Sequence, residues 1–489
     1  MNEKHLIKKI LLINPPSIVK KSWVEGIQTF PLGLASIASV LVKNNYKVEI
    51  LDCFIENYKR RQSISDDLYR IGMSDDEIIA SIKKYNPDLI GVSIQFSIQY
   101  LSALHINSLI KEIDENIITV TGGNHVSAAP ETIKKNTFDW LIIGEGEFRF
   151  LNLINAINTN TTNLLSPEIA YLSDDSHLPD FKNLKIEYIK DLNILPMPSY
   201  NLLSLKKYWD MGGGSHWANM FITRGCPYNC VFCSIHTIMG KKVRYKNVDN
   251  VIKEVLYLKR ELGVNEIFIE DDNLTFNMNW AKDFFRRIIQ EKLHLKIHLR
   301  NGIRADKVDM ELLKLMKKAG VIQLAFAPES GKQETLDNII NKHLKLKDVE
   351  NSIKMANKVG IYVSCFLVVG FPEETLEDVK ETIKYAFKLK KIGSDDVWIS
   401  CATPYPGTRL FDNCIKYGIL SKDNINYQEL STMGTVIHNK WFTAEELKNI
   451  RDKAMHKLTS HRKLQVFKLL LSNPFMFIHK IRNIIVRRI

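Results

Sequence analysis

The sequence predicts an α/β protein in two parts: a doubly wound parallel sheet over residues 1–160 and a partial barrel of six β/α units over residues 217–425. Three observations carry this. Short β-branched runs alternate with helical patterns through the first 160 residues. The alternation resumes after Asn219 for six further units. A chain of 489 residues also exceeds one hydrophobic core, so two or three domains are expected. Residues 161–216 read as a connector and 426–489 as a helical C-terminal extension.

In the first part, Ile10–Asn14, Val48–Asp52, Leu89–Ser93, Ile117–Thr121 and Trp140–Ile143 read as five strands. Their nearly continuous apolar character suits a Rossmann-like parallel sheet buried on both faces. Polar or glycine-rich turns follow several of them, notably Gly122-Gly123-Asn124-His125 and Gly144-Glu145-Gly146-Glu147. Open α/β sheets bind ligands beyond the carboxyl ends of their strands, where these turns lie. The alternative is that they are ordinary strand-to-helix turns.

The connector carries the breakers Leu195-Pro196-Met197-Pro198 and Gly212-Gly213-Gly214. Beyond it, Met220–Thr223, Glu266–Asp271, Lys296–Asn301, Gln323–Glu329, Tyr362–Gly370 and Val397–Thr403 read as the barrel strands. Six units fall short of a closed eight-stranded barrel. Catalytic groups in such barrels collect at the C-terminal ends of the strands. Every strand here ends in polar or backbone-permissive residues, from the loop after Thr223 to Thr403-Pro-Tyr-Pro-Gly407.

That first loop reads Thr-Arg-Gly-Cys-Pro-Tyr-Asn-Cys-Val-Phe-Cys, with Cys226, Cys230 and Cys233 in a Cys-x3-Cys-x2-Cys spacing. Three thiolates can hold an iron–sulfur cube with one iron left open. With His236 as a fourth ligand they can also close a structural zinc knot. Spacing alone leaves both readings, and a chance group of thiols, standing.

The loop, with Phe232 ahead of its last cysteine, resembles the signature of the radical S-adenosylmethionine (SAM) enzymes. The resemblance implies a [4Fe-4S] cluster on the three cysteines. SAM would chelate its open iron, and Phe232 would pack near the adenine. It places Asp271 and Asp272 near the amino group of SAM, where a carboxylate accepts charge-assisted hydrogen bonds; Asp272 or Asn273 could equally cap the next helix. Glu329 and Ser330 match a Gly-Ile-Glu-Ser element near the ribose and methionine, with Ala327 and Pro328 standing where Gly and Ile are usual. Gly370, Pro372 and Glu374 match a Gly-x-Pro-x-Glu turn, where Gly370 would let the backbone approach the adenine. Arg304 pairs either with the SAM carboxylate or with Asp306.

The first part looks like the cobalamin-binding domain that precedes the catalytic domain in many of these enzymes. Gly122, Gly123 and His125 sit where that family has similar stretches. The Asp-x-His-x-x-Gly motif that supplies a cobalt-ligating histidine is absent. The implied cofactors are therefore the cluster, SAM and cobalamin, with a flavodoxin or ferredoxin as electron donor. The implied reaction starts from a 5′-deoxyadenosyl radical. Its first reading is cobalamin-dependent methyl transfer to an unactivated carbon of a small-molecule or lipid substrate. A cyclase, rearrangement or oxidation enzyme is the alternative. More remote are a zinc-binding scaffold and a tRNA methylthiotransferase, which needs N-terminal cysteines where only Cys53 precedes the barrel.

Seven scattered and clustered cysteines form no disulfide framework and suit a reducing cytoplasmic setting. The apolar stretch Ile10–Ile13 is too short for a signal peptide. The formal charge of +12 permits nucleic acid, anionic lipid or phosphorylated partners without selecting one; nucleic acid is not expected. Residues 461–489 hold seven Lys or Arg and no acid, with Ile478, Ile481, Ile485 and Ile489 at helical spacing. Such a tail suits peripheral contact with the inner face of a membrane, or packing on the barrel with snorkelling basic groups.

Overall fold

The computed structural model describes residues 6–21, 29–172, 179–181, 183–421, 425–427, 429–430 and 435–472, with 460–472 as helical backbone alone. The chain forms two compact units. The first comprises Met1–Tyr208, Gly225–Pro227 and Ser234–Asn247; the second comprises Trp209–Arg224, Tyr228–Cys233 and Val248–Ile489.

The first unit holds β1 (Lys9–Asn14), β2 (Ser17–Lys20), β3 (Lys47–Asp52), β4 (Arg61–Ser63), β5 (Leu68–Ile71), β6 (Leu89–Ser93), β7 (Ile118–Gly122), β8 (Trp140–Ile142) and β9 (Ile169–Tyr171). Its main sheet runs β3-β1-β6-β7-β8-β9. All neighbours are parallel except β8 and β9. The order reverses direction at β1, which sends crossover helices to both faces and opens a crevice at the strand ends there. Burial agrees. Ile10, Leu12 and Val120 pack with Leu34, Leu41, Leu153 and Ile154 of the helices Leu32–Lys43 and Gly146–Thr159. On the opposite face Leu11, Ile13, Ile90 and Val92 are also fully buried. The antiparallel edge strand β9 and a small antiparallel sheet, β2-β5-β4, are not expected from sequence.

The second unit holds β10 (Trp217–Met220), β11 (Glu266–Ile269), β12 (Lys296–Ile303), β13 (Val321–Glu329), β14 (Tyr362–Val369) and β15 (Asp396–Cys401). They form one open parallel sheet in chain order. Right-handed crossovers in an order that never reverses place every connecting helix on the same face. That face is apolar: Ile267, Ile269, Ile297, Leu299, Leu324, Phe326, Val363, Leu367 and Ile399 are buried beneath the helices. The other face carries Glu266, Phe268, His298, Gln323, Phe366 and Trp398, all at least partly accessible.

Two neighbouring strands lose register near their C-terminal ends. In β12, Leu299 and Ile303 oppose Leu324 and Phe326, so Arg300, Asn301 and Gly302 face one residue. In β13, Phe326 and Glu329 oppose Cys365 and Leu367, so Ala327 and Pro328 face one residue. Bulges of this kind bend a strand and re-aim its side chains, and they accommodate a proline that a regular central strand would not.

The helix Ala444–Ser472 closes the described part of the chain. The isoleucine pattern from Ile478 onward lies outside the described residues. Among the described residues, no helix is long and apolar enough to cross a membrane.

Candidate functional site

The seven cysteines divide sharply. Cys53, Cys365, Cys401 and Cys414 are buried, whereas Cys226, Cys230 and Cys233 are partly accessible, and none forms a disulfide. Accessible thiols in one short loop fit cluster ligation, while buried lone thiols behave as small apolar residues. Among the described residues, no three His, Cys, Asp or Glu side chains gather as around a single ion; a cube instead takes each thiolate on its own iron.

The loop is held by backbone clips. Gly225 has φ +94, and a Cβ there would lie 2.5 Å from the Lys242 carbonyl oxygen, so only glycine fits. The Cys226 amide donates to the Gly240 carbonyl at 3.1 Å. In the second unit, the Val231 amide donates to the Ile340 carbonyl at 2.9 Å, and the Leu410 amide to the Val231 carbonyl at 2.8 Å. The Asn341 side-chain amide donates to the Asn229 carbonyl at 3.0 Å, and Arg409 donates to the same oxygen.

Arg304 joins this bracket. Its guanidinium donates to both oxygens of Asp306 at 2.9 Å, and to the carbonyls of Lys342 at 3.0 Å and His343 at 3.3 Å. It also stacks 3.6 Å from the ring centre of Tyr228, inside the cysteine loop. Of the two roles the sequence leaves open, the structure shows the pairing with Asp306.

Asp271 is buried, and its carboxylate accepts from the amides of Ile222 at 2.7 Å and Thr223 at 2.9 Å. It thus ties the end of β11 to the chain leading into the cysteine loop. Burial pushes its carboxyl up to about 7, against the pull of those hydrogen bonds. Asp272, next to it, is exposed.

Glu329 ends β13 with φ +67, and its carboxylate meets Lys342 at 2.7 Å, both groups nearly buried. Burial raises the Glu329 carboxyl, and Lys342 opposes the shift. A strained backbone and a desolvated ion pair each cost free energy, and both collect at functional sites. The Ser330 hydroxyl lies 3.0 Å from that of Thr382 and accepts from the Lys332 amide; it shapes the turn.

Glu374 is fully buried, and one carboxylate oxygen accepts from the amides of Gly370 at 2.6 Å and Phe371 at 3.0 Å. Its other oxygen has no hydrogen-bond partner among the described residues. An orphaned buried acceptor at a strand end is what a ligand with donors would satisfy. Desolvation raises its carboxyl to about 7. Gly370 has φ +91, and a Cβ there would lie 2.0 Å from Leu447. Its glycine is therefore required by backbone and helix packing, whatever approaches the turn. Phe232 packs beside Phe371, ring centres 6.1 Å apart.

In the first unit, Gly122 and Gly123 follow β7. Gly123 has φ +115, and a Cβ there would lie 2.6 Å from the Ile94 carbonyl oxygen. His125 is buried, with its ring nitrogens 3.0 Å from the Ser97 and Thr132 hydroxyls. Burial lowers its pKa to about 4, keeping it neutral. Both nitrogens serve the framework. These strand ends fit a cobalamin held by backbone and shape, and do not fit one ligated through His125.

Tyr228, Asn341 and Lys342 are not singled out by sequence pattern. The only local signal is Asn341-Lys342-His343, where Asn341 and His343 take φ +59 and +49; Asn tolerates that region better than most residues.

Comparisons with known proteins fit this picture. The radical SAM superfamily matches residues 220–386, and the B12 binding domain matches residues 26–154. The chain is 31% identical over 486 residues to Uncharacterized methyltransferase PH0819 of Pyrococcus horikoshii, covering 98% of each chain. It is 29% identical over 494 residues to the cytidylyl-2-hydroxyethylphosphonate methyltransferase of Streptomyces wedmorensis, covering 94% of this chain and 91% of that one. In fold it resembles the radical SAM methyltransferase TsrM of Kitasatospora setae, solved with cobalamin and a [4Fe-4S] cluster. The TM-score is 0.65 at 16% identity, over 84% of this chain and 75% of that one.

Proposed function

The chain belongs to the radical SAM enzymes that carry a B12-binding domain, and from that premise we propose that it methylates an unactivated carbon of a small molecule. The observation that carries this reading is likeness along nearly the whole chain to proteins named as methyltransferases. When bound, the cluster, SAM and cobalamin supply the electron, the 5′-deoxyadenosyl radical and the methyl carrier.

The chain's own residues hold and orient. Cys226, Cys230 and Cys233 would ligate the cluster, on a loop fixed by Gly225, Asn341 and the stacked Arg304. Asp271 secures the chain entering that loop, and exposed Asp272 beside it would meet the ammonium group of SAM. The free oxygen of Glu374 offers an acceptor to a ligand donor. Glu329, oriented by Lys342, does the same on the neighbouring strand. Gly122 and Gly123 would border cobalamin. A flavodoxin or ferredoxin would deliver the electron.

The test is anaerobic purification with cobalamin supplied. Expected are bound cobalamin, an iron–sulfur absorbance, and 5′-deoxyadenosine on reduction with SAM. Trideuteromethyl SAM with candidate small molecules should then label the product. A product without the label would move the chain to the cyclase or oxidation reading. A folded protein that takes up neither iron nor cobalamin would refute the proposal.

A further inference from the structure

The helix-free face of the second unit is polar in layers. Toward the N-terminal end of its strands, Glu266, His298 and Gln323 form one chain of hydrogen bonds. Glu266 takes Ser215 at 2.9 Å, Lys296 at 3.1 Å and His298 at 3.2 Å. His298 meets Gln323 at 3.3 Å, and Gln323 donates to Ser364 at 3.2 Å. Those partners hold the Glu266 carboxyl down at about 2.

One layer closer to the strand ends, the chain of hydrogen bonds stops. Arg300 stacks on Phe268, its guanidinium carbon 3.9 Å from the ring centre. His298 also stacks on that ring at 4.3 Å, and Trp217 meets it edge-on at 5.5 Å. No acceptor among the described residues lies within hydrogen-bonding or ion-pair distance of the Arg300 guanidinium. Glu270, at the end of β11, has an equally unengaged carboxylate, near enough to interact with Arg300 through space and too far to pair. Burial disfavours the charge on both, raising Glu270 and lowering Arg300.

A guanidinium has five donors, and those of Arg300 are open to solvent with no acceptor among the described residues, which leaves them available to a ligand. Arg300 is preorganised to receive one, because Phe268 fixes its plane and it opens the bulge that re-aims the end of β12. Planar bidentate recognition of carboxylate or phosphate is what such a fork does best.

We propose that Arg300 binds an oxyanion of the substrate, a carboxylate or a phosphate or phosphonate group, on this open face. The inference rests on the methylase reading only in calling the ligand a substrate. Glu270 beside it sets a bias: a dianion is repelled, and a group that also carries a donor gains a partner.

The test uses the full-length, anaerobically loaded protein and two probes, methylphosphonate and acetate, followed by calorimetry or by the fluorescence of partly exposed Trp398. Wild type should bind at least one probe, and which one is tighter separates phosphonate-like from carboxylate chemistry. Arg300→Gln should weaken the tighter probe at least tenfold, Arg300→Lys less, and Glu270→Gln should strengthen it. Matching thermal unfolding of wild type and variants excludes misfolding. Binding of neither probe by wild type, or unchanged affinity in Arg300→Gln, would overturn the assignment. Failure of wild type to form 5′-deoxyadenosine would sink the methylase reading while leaving the anion measurement intact.

Discussion

Both units are built on parallel sheets, yet one is sealed on both faces and the other on one. The difference lies in strand order. In the first unit the order turns back at β1, so helices cover both sides and the central strands are mostly apolar on both faces. In the second unit the order never turns back, so a whole face of the sheet remains for polar and aromatic side chains. A sealed sheet can offer a ligand little beyond its rim. A half-covered one can offer a floor, walls and a rim, which is what cosubstrate and substrate together require.

The sharpest way to break this contrast is through the cysteines. Replacing any one of Cys226, Cys230 or Cys233 by Ala should abolish the iron–sulfur absorbance and lower 5′-deoxyadenosine formation by at least 1000-fold, or roughly 4 kcal/mol of barrier. Cys365→Ala, on the sealed face of the same unit, should retain iron and lose only about 1 kcal/mol of stability. Iron analysis and denaturant unfolding check both.

The next largest effect should come from the buried pair at the end of β13. Lys342→Met strands the Glu329 carboxylate and should cost about 3–5 kcal/mol in denaturant unfolding. Adding Glu329→Gln should recover part of that loss, because the uncompensated charge is gone. If the double variant is as unstable as the single one, the ion pair is not the cause.

In the sealed unit, His125→Leu should leave cobalamin uptake intact and cost about 1–3 kcal/mol through its two lost hydrogen bonds. Loss of cobalamin from a variant that still unfolds cooperatively would make His125 a ligand after all.

The last effect concerns pH. Glu374 has a folded-state pKa near 7, above the ordinary 4.5 of a glutamate. The folded chain therefore binds more protons than the unfolded chain between those values, and wild type loses stability as pH rises through that window. Glu374→Gln should flatten the slope between about pH 4.5 and 7, by about 2–3 kcal/mol across the window. Unfolding midpoints at pH 5 and 7.5 for both proteins read it directly.

Much of this is legible in the residues. Eleven strands read from apolar runs recur as observed strands, shifted by a few residues at most, because long β-branched runs need no partner to be recognised. The strands that escape are short. Arg61–Ser63 has three exposed residues, and Ile169–Tyr171 is an antiparallel edge of the same length; neither carries a period. Gly370 is legible as a special position but not for the right reason, since Leu447 is 77 residues away in sequence and only folding brings its side chain there. The same holds for Lys342 and Arg300. A lysine in a connecting turn and an arginine in a strand have no pattern that announces a buried partner or a missing one.

The bulge at Ala327–Pro328 also bears on how the second sheet finds its alignment. A one-residue slide of β13 past β14 would push Gln323 into the oily layer beneath the helices and turn Phe326 toward water. Pro328 has no amide hydrogen to lend to a shifted ladder, and Glu329 must adopt its left-handed turn just one step later. The misaligned sheet is thus penalised at both ends of one strand, so the kink that delivers a carboxylate also works as a ratchet tooth for assembly.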